Sequence, residues 1–180
     1  VPDTESIDPN ALPESHRGGY IAWAIGGAHA TKVLPSEKVI AIAKNIQQPI
    51  VLLGGPGDST VGKAIAEASG SHVFNACGKF TVHQSALLIK GANKVLTNDT
   101  GMMHIAAAFK KDILSFWGNT VPELGMYPYL PEGKGSSKVL QVENLKCRPC
   151  SKIGYDVCPK KHFKCMLNQD ESAVLEWANA

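Results

Sequence analysis

Short, uninterrupted apolar runs recur along this chain with amphipathic stretches between them, and that alternation constrains the fold more than any single residue does. Tyr20-Ile21-Ala22-Trp23-Ala24-Ile25, Ile50-Val51-Leu52-Leu53, Lys94-Val95-Leu96-Thr97 and Ile113-Leu114-Ser115-Phe116-Trp117 have the length and continuity of buried strands, and a further strand falls near His72 to Ala76. Between the first two, Pro35-Ser36-Glu37-Lys38 opens a helix whose apolar face is Val39, Ile40, Ile42, Ala43 and Ile46, ended by Pro49. Val61 to Ala68 reads as a second helix closed by Gly70, and Thr81 caps a third that carries Ala86, Leu87, Leu88 and Ile89. A fourth continues through Ile105-Ala106-Ala107-Ala108-Phe109. Strands alternating with helices pair in parallel and are covered on both faces, so the expected class is α/β with a doubly wound parallel sheet.

With 180 residues, 44% of them hydrophobic, the chain can bury one well-formed core. Residues 1–18 are polar, proline-bearing and without periodicity; they read as a linker or a cut segment, and 19–180 as the folded domain. A formal charge of +2 without a basic, aromatic-interleaved run argues against a nucleic-acid partner. Scattered lysines leave contact with a membrane surface open. No apolar stretch reaches the roughly 20 residues of a spanning helix, and the N-terminus lacks the order of a signal peptide.

Ligands of such sheets bind beyond the carboxyl ends of the strands, where this chain places its informative loops. Thr97-Asn98-Asp99-Thr100-Gly101-Met102-Met103-His104 joins a strand to a helix. Asp99 or Thr100 can cap that helix, and Gly101 lets backbone N–H groups approach a phosphate. His104, one turn in, reaches a phosphate or sugar group, or is simply structural. After the first strand, Gly26 and Gly27 permit close backbone approach, and Lys32 either places charge on a diphosphate or is solvated. Asp58 either accepts hydrogen bonds from ribose hydroxyls or caps a helix. Gly57-Asp58-Ser59-Thr60-Val61-Gly62-Lys63 imitates a nucleotide-hydrolase phosphate loop, but Ala64 stands where a hydroxyl should ligate Mg²⁺.

Beyond the sheet come Cys147-Arg148-Pro149-Cys150, Cys158 and Cys165, with His162 between the last two. Thiolates on a loop-rich excursion at 147–165 are compatible with a tetrahedral structural zinc, and equally with reduced structural thiols. Cys77 stands apart as a loop or core thiol.

Taken in order, these pieces resemble the C-terminal half of the bacterial heptosyltransferases, the lipopolysaccharide-core glycosyltransferases of family nine that use ADP-heptose. The resemblance is carried by Lys32-Val33-Leu34-Pro35, Leu53-Gly54-Gly55-Pro56-Gly57-Asp58, Gly78-Lys79-Phe80-Thr81, Thr97 to His104 and Phe116-Trp117-Gly118-Asn119-Thr120-Val121-Pro122-Glu123. The cysteine-bearing tail through Met166 extends it to the second-heptosyltransferase type. It implies a Rossmann-like, donor-binding half of a two-domain GT-B enzyme. Gly26, Gly27, Thr31, Lys32, Asp58, Asp99, Thr100, Gly101 and His104 would then surround a nucleotide-sugar. Where the family often carries adjacent hydroxyl residues in the first donor loop, this chain has Gly26 and Gly27, and Thr31 is the hydroxyl that remains.

The resemblance implies inverting transfer without a catalytic cofactor to a lipid A-core acceptor, in the cytoplasm or peripherally at the inner membrane. It also puts the general base in a preceding N-terminal domain, so residues 1–180 alone are expected to be inactive and to carry no catalytic residue. Two other readings compete: a non-catalytic module assembled around the cysteine cluster, and a phosphate-loop hydrolase, which Ala64 disfavours.

Overall fold

In the computed structural model, which describes residues 1–2, 5–131 and 135–180, six strands form one sheet. These are β1 (Ile21–Ala24), β2 (Ile50–Leu53), β3 (Val73–Asn75), β4 (Lys94–Asn98), β5 (Asp112–Trp117) and β6 (Ser137–Gln141). They lie in the order β3-β2-β1-β4-β5-β6, and every pairing is parallel, as the alternation of apolar runs and helices requires. The helices are α1 (Ser36–Ala43), α2 (Ser59–Ser69), α3 (Val82–Gly91), α4 (Gly101–Ala108), α5 (Lys164–Leu167) and α6 (Glu171–Asn179).

Successive side chains of a strand point to opposite faces, and the core divides accordingly. Ile21 and Trp23 of β1 pack with Ile42 of α1, Ile65 of α2, Met166 of α5 and Val174 of α6. Ala22 of the same strand faces Leu88 and Ile89 of α3 and Met103 and Ala106 of α4. Trp23 stacks on Phe116 of β5 across the first face, with ring centroids 6.1 Å apart.

The chain winds from β1 outward to β3, then returns to the other side of β1 for β4 to β6. The connections leaving the adjacent strands β1 and β4 therefore diverge and open a crevice at their carboxyl ends.

Three features depart from the sequence reading. The folded part begins before Gly19: Leu12 is buried in the core, and the His16 ring bonds Ile50 O at 3.2 Å and His72 O at 3.0 Å. The segment expected as a linker thus contributes packing, through two residues too isolated to show periodicity. Helix α1 stops at Ala43, well short of Pro49, and Ile46 is buried from the following turn. The strand β6 and helices α5 and α6 were not expected; β6 buries only Leu140, too little to read as an apolar run. Among the described residues no helix is long and apolar enough to cross a membrane.

Candidate functional site

The loop after β1 is shaped by what its glycines allow. A Cβ on Gly26 would sit 2.4 Å from Asp58 Oδ2, and one on Gly27 would sit 2.9 Å from Val33 Cγ2. Only glycine lets Asp58 close over this loop. Asp58 is itself held from below, its Oδ2 accepting the Gly55 N–H at 2.8 Å. The side chain caps its own turn and also faces the crevice, so the two readings of Asp58 are compatible.

Asn98, the last residue of β4, holds the same loop at both ends. Its Nδ2 donates to Ile25 O at 2.9 Å and Gly26 O at 3.1 Å, while its Oδ1 accepts the Leu34 N–H at 3.2 Å. Sequence reasoning assigned Asn98 no role; a buried amide with three partners is visible only once β1 and β4 are neighbours.

Lys32 does not stand free in the crevice. Its Nζ lies 2.7 Å from Asp99 Oδ2, which also accepts the Thr120 hydroxyl at 2.9 Å. Lys32 is 8% exposed and Asp99 4%, so this is a buried ion pair. Asp99 therefore does not cap α4. Thr100 occupies the N-cap position, yet its side chain makes no capping bond, and among the described residues its buried hydroxyl has no partner. An orphaned hydroxyl beside the unpaired N–H groups of a helix start leaves hydrogen-bonding capacity for a ligand.

These features surround a cavity of about 410 Å³, lined by Gly26, Gly27, Asp58, Thr100, Gly101 and Met102 among others. Lys32 and Asp99 are not on that lining. Asp99 adjoins the lining residue Thr100, and Lys32 is bonded to Asp99. His104 is on the exposed side of α4 and does not line the cavity either.

Thr31 faces away from the cavity. Its hydroxyl donates to Tyr155 O at 2.9 Å and accepts the Tyr155 N–H at 2.8 Å, and its own N–H donates to the same carbonyl at 3.0 Å. Three bonds tie the first loop to the cysteine-rich excursion and engage the Thr31 hydroxyl as both donor and acceptor away from the cavity. Arg148 anchors the other end of the excursion: its guanidinium donates to Gly118 O, to Val142 O at 3.0 Å and to Thr120 O at 2.9 Å.

Among the described residues no group of three or more His, Cys, Asp or Glu is placed to hold a metal ion, and Cys147, Cys150, Cys158 and Cys165 are free thiols. Cys150 donates its S–H to Cys147 O at 3.0 Å, and Cys147 Sγ lies 3.7 Å from His162 Nε2.

The environments of the thiols differ. Burial pushes Cys165 up to about 11 and, with the Asp58 carboxylate adding to it, Cys77 up to about 12. Burial works against ionisation of Cys158 as well, yet the N–H groups of Phe163, Lys160, His162 and Lys161 together hold its thiol below the usual range.

The imitation phosphate loop is not a loop. Ser59 to Lys63 already belong to α2, Lys63 pairs with Glu67 at 3.8 Å on the exposed face, and a Cβ on Gly62 would meet Asn75 Oδ1 at 2.4 Å. Gly62 serves helix-to-strand packing.

Residues 8–159 match glycosyltransferase family 9 (heptosyltransferase). The lipooligosaccharide heptosyltransferase 2 of Haemophilus influenzae is 30% identical over 109 residues, which are 58% of this chain and 31% of that protein. Among solved structures, Escherichia coli ADP-heptose lps heptosyltransferase II superposes with a TM-score of 0.64 at 22% identity, over 95% of this chain and 50% of that one. Escherichia coli heptosyltransferase WaaC with ADP gives 0.65 at 20% identity, over 95% and 47%. The chain thus spans about a third of the length of the curated relative and half that of the solved structures.

Proposed function

The chain belongs to glycosyltransferase family 9, the heptosyltransferase family, and on that premise we propose that it is the donor-binding domain of an inverting glycosyltransferase. The donor would be a nucleotide-sugar, ADP-heptose in the first instance, and the acceptor a lipopolysaccharide core. The reaction would take place in the cytoplasm or at the inner membrane surface. What carries the reading is the cavity at the β1/β4 switch point, with glycine backbone, the start of α4 and the unpartnered Thr100 hydroxyl around it and the Lys32–Asp99 pair directly behind.

Each group has a task in this reading. The N–H groups of Gly101 and its neighbours and the Thr100 hydroxyl receive the diphosphate. Gly26 and Gly27 let it approach the backbone, and Asp58 accepts from the ribose through the oxygen that Gly55 leaves free. As the glycosidic bond breaks, negative charge grows on the departing diphosphate; the positive end of α4 and Lys32 stabilise it without a metal or other cofactor. Asp99 holds Lys32 in place. His104, on the outer side of α4, meets the distal phosphate or sugar. Thr31 acts indirectly, by fixing the loop that carries Lys32. No residue of this chain is assigned to deprotonating the acceptor.

A thermal-shift panel of ADP, UDP, GDP and ADP-heptose tests the donor reading. A ligand at about 100 times its Kd adds about 2.7 kcal/mol, roughly 5–10 °C for a domain of this size. ADP and ADP-heptose should produce it and the other nucleotides should not; equal indifference to all four would overturn the site. In a transfer assay with ADP-heptose and a lipopolysaccharide-core acceptor, residues 1–180 alone should show no turnover. Robust turnover would mean that a base in this chain has been overlooked.

A further inference from the structure

The cysteine-rich excursion concentrates the charge of the whole chain. Between Leu145 and Lys164 stand six Lys and Arg residues against one acid, Asp156, a net +5 in a chain whose total is +2, which leaves the rest at −3. Arg148 is turned inward onto backbone carbonyls, but Lys146, Lys152, Lys160, Lys161 and Lys164 are all exposed. Interleaved with them are three large apolar side chains left in water: Ile153 at 65% exposure, Tyr155 at 42% and Val157 at 73%. Val157 and Lys161 share the rim of one cavity, so apolar and basic groups lie on the same side.

This surface is built, not loose. Thr31 ties Tyr155 by three hydrogen bonds, the Ser151 hydroxyl accepts the Gly154 N–H at 2.7 Å, and Gly154 comes so close that a Cβ would lie 2.6 Å from His29 Cβ. Apolar tips are thereby fixed in water, flanked by exposed lysines. Lysine heads that reach anionic headgroups, with apolar side chains that enter the interface beneath them, form the paired signal stable attachment to a bilayer takes. A nucleic acid fits worse, because two of the three exposed apolar side chains, Ile153 and Val157, offer no ring for a base to stack on.

We propose that the excursion around Lys152 to Lys161 is a membrane-docking surface whose partner is a bilayer of anionic lipids. Docked there, the chain holds the loop after β1, which Thr31 ties to Tyr155, close to the membrane. The surface adds a partner to the donor-binding reading and stands on charge and exposure alone, so vesicle binding and nucleotide binding succeed or fail separately.

Co-sedimentation of the chain with vesicles of phosphatidylethanolamine and phosphatidylglycerol, against vesicles of phosphatidylcholine, tests it. Binding should require the anionic lipid and weaken with salt. The triple variant Lys152→Glu, Lys160→Glu, Lys161→Glu should lose ten-fold or more. The double variant Ile153→Ser, Val157→Ser should lose several-fold. The charge-matched control Lys44→Glu, Lys63→Glu, Lys90→Glu should keep most of the binding. All of these positions are exposed, and a thermal melt verifies that each variant is folded. No binding to anionic vesicles overturns the proposal, as does an equal loss in the control, which would mean diffuse attraction. Binding to a polyanion such as heparin as strong as to vesicles, and indifferent to the Ile153 and Val157 changes, would also overturn it in favour of a plain anion patch.

Discussion

Lys32 Nζ lies 2.7 Å from Asp99 Oδ2 with both side chains almost out of solvent, so a buried ion pair joins the loop after β1 to the corner after β4. The pair is one link of a longer chain of contacts. Arg148 of the excursion donates to Thr120 O, and the Thr120 hydroxyl donates to Asp99. On the other side Thr31, next to Lys32, is bonded to Tyr155 of the same excursion. The cysteine-rich segment thus grips both halves of the candidate site from behind.

Removing one partner of the buried pair leaves the other charged in a poorly solvated place. Lys32→Met should therefore lower stability by about 3–5 kcal/mol, while Lys32→Met with Asp99→Leu should recover more than half of that loss. Urea denaturation of the single and double variants measures both. A single-variant loss under about 1 kcal/mol, as at an exposed pair, would show that the pair is solvated in the folded protein. This differs from the expectation for two free rim residues, which would affect binding alone.

Thr31→Val keeps the shape of the side chain and deletes a hydroxyl that both donates and accepts. It leaves the part-buried Tyr155 N–H without that partner, so the expected cost is about 1 kcal/mol. The loosened excursion should also be cut faster by trypsin after Lys152, Lys160 and Lys161. Unchanged cleavage there would mean that Arg148 alone holds the segment.

The fold was legible because burial on two faces writes itself as continuous apolar strands, as in β1, β2 and β5. β6 was not, since an edge strand with one buried side chain carries no such pattern. At the site, the glycines, Asp58 and the Asp99-Thr100-Gly101 corner could be placed at strand ends from sequence. The direction in which Thr31, Lys32 and Asp99 point could not. It depends on Tyr155 and Thr120, which lie 124 and 21 residues along the chain from their partners. Asn98 was silent for the same reason: its three bonds exist only across the β1/β4 junction.

The thiols should react in an order set by their surroundings. Backbone N–H groups favour the thiolate of Cys158, whereas burial disfavours it at Cys77 and Cys165. Iodoacetamide near neutral pH, followed by peptide mass mapping, should label Cys158 first and leave Cys77 and Cys165 unlabelled until the protein unfolds. Early labelling of Cys165 would place it outside the core.

Burial holds the His16 pKa below its ordinary 6.5, so the unfolded chain binds the proton more readily than the folded one. The stability that neutral His16 contributes is complete above the unfolded pKa and is lost as the pH falls from about 6.5 through the folded value. Between pH 7.5 and 5.5, the wild-type chain should lose more stability than a His16→Gln variant. Parallel losses in urea titrations at the two pH values would assign the dependence to other groups.

Gly26→Ala separates the shape of the cavity from its charges. The added methyl would approach Asp58 Oδ2 to 2.4 Å, and Asp58 cannot yield easily because the same oxygen accepts the Gly55 N–H. Either Asp58 swings off that N–H or the loop after β1 lifts, and both move the walls against which a nucleotide would lie. No charge is lost, and Gly26 is only partly buried, so folding should survive. ADP affinity measured by calorimetry should fall at least ten-fold, about 1.4 kcal/mol, while the thermal midpoint without ligand shifts little. If affinity is kept, the nucleotide does not lie between Gly26 and Asp58, and the ribose role of Asp58 goes with it.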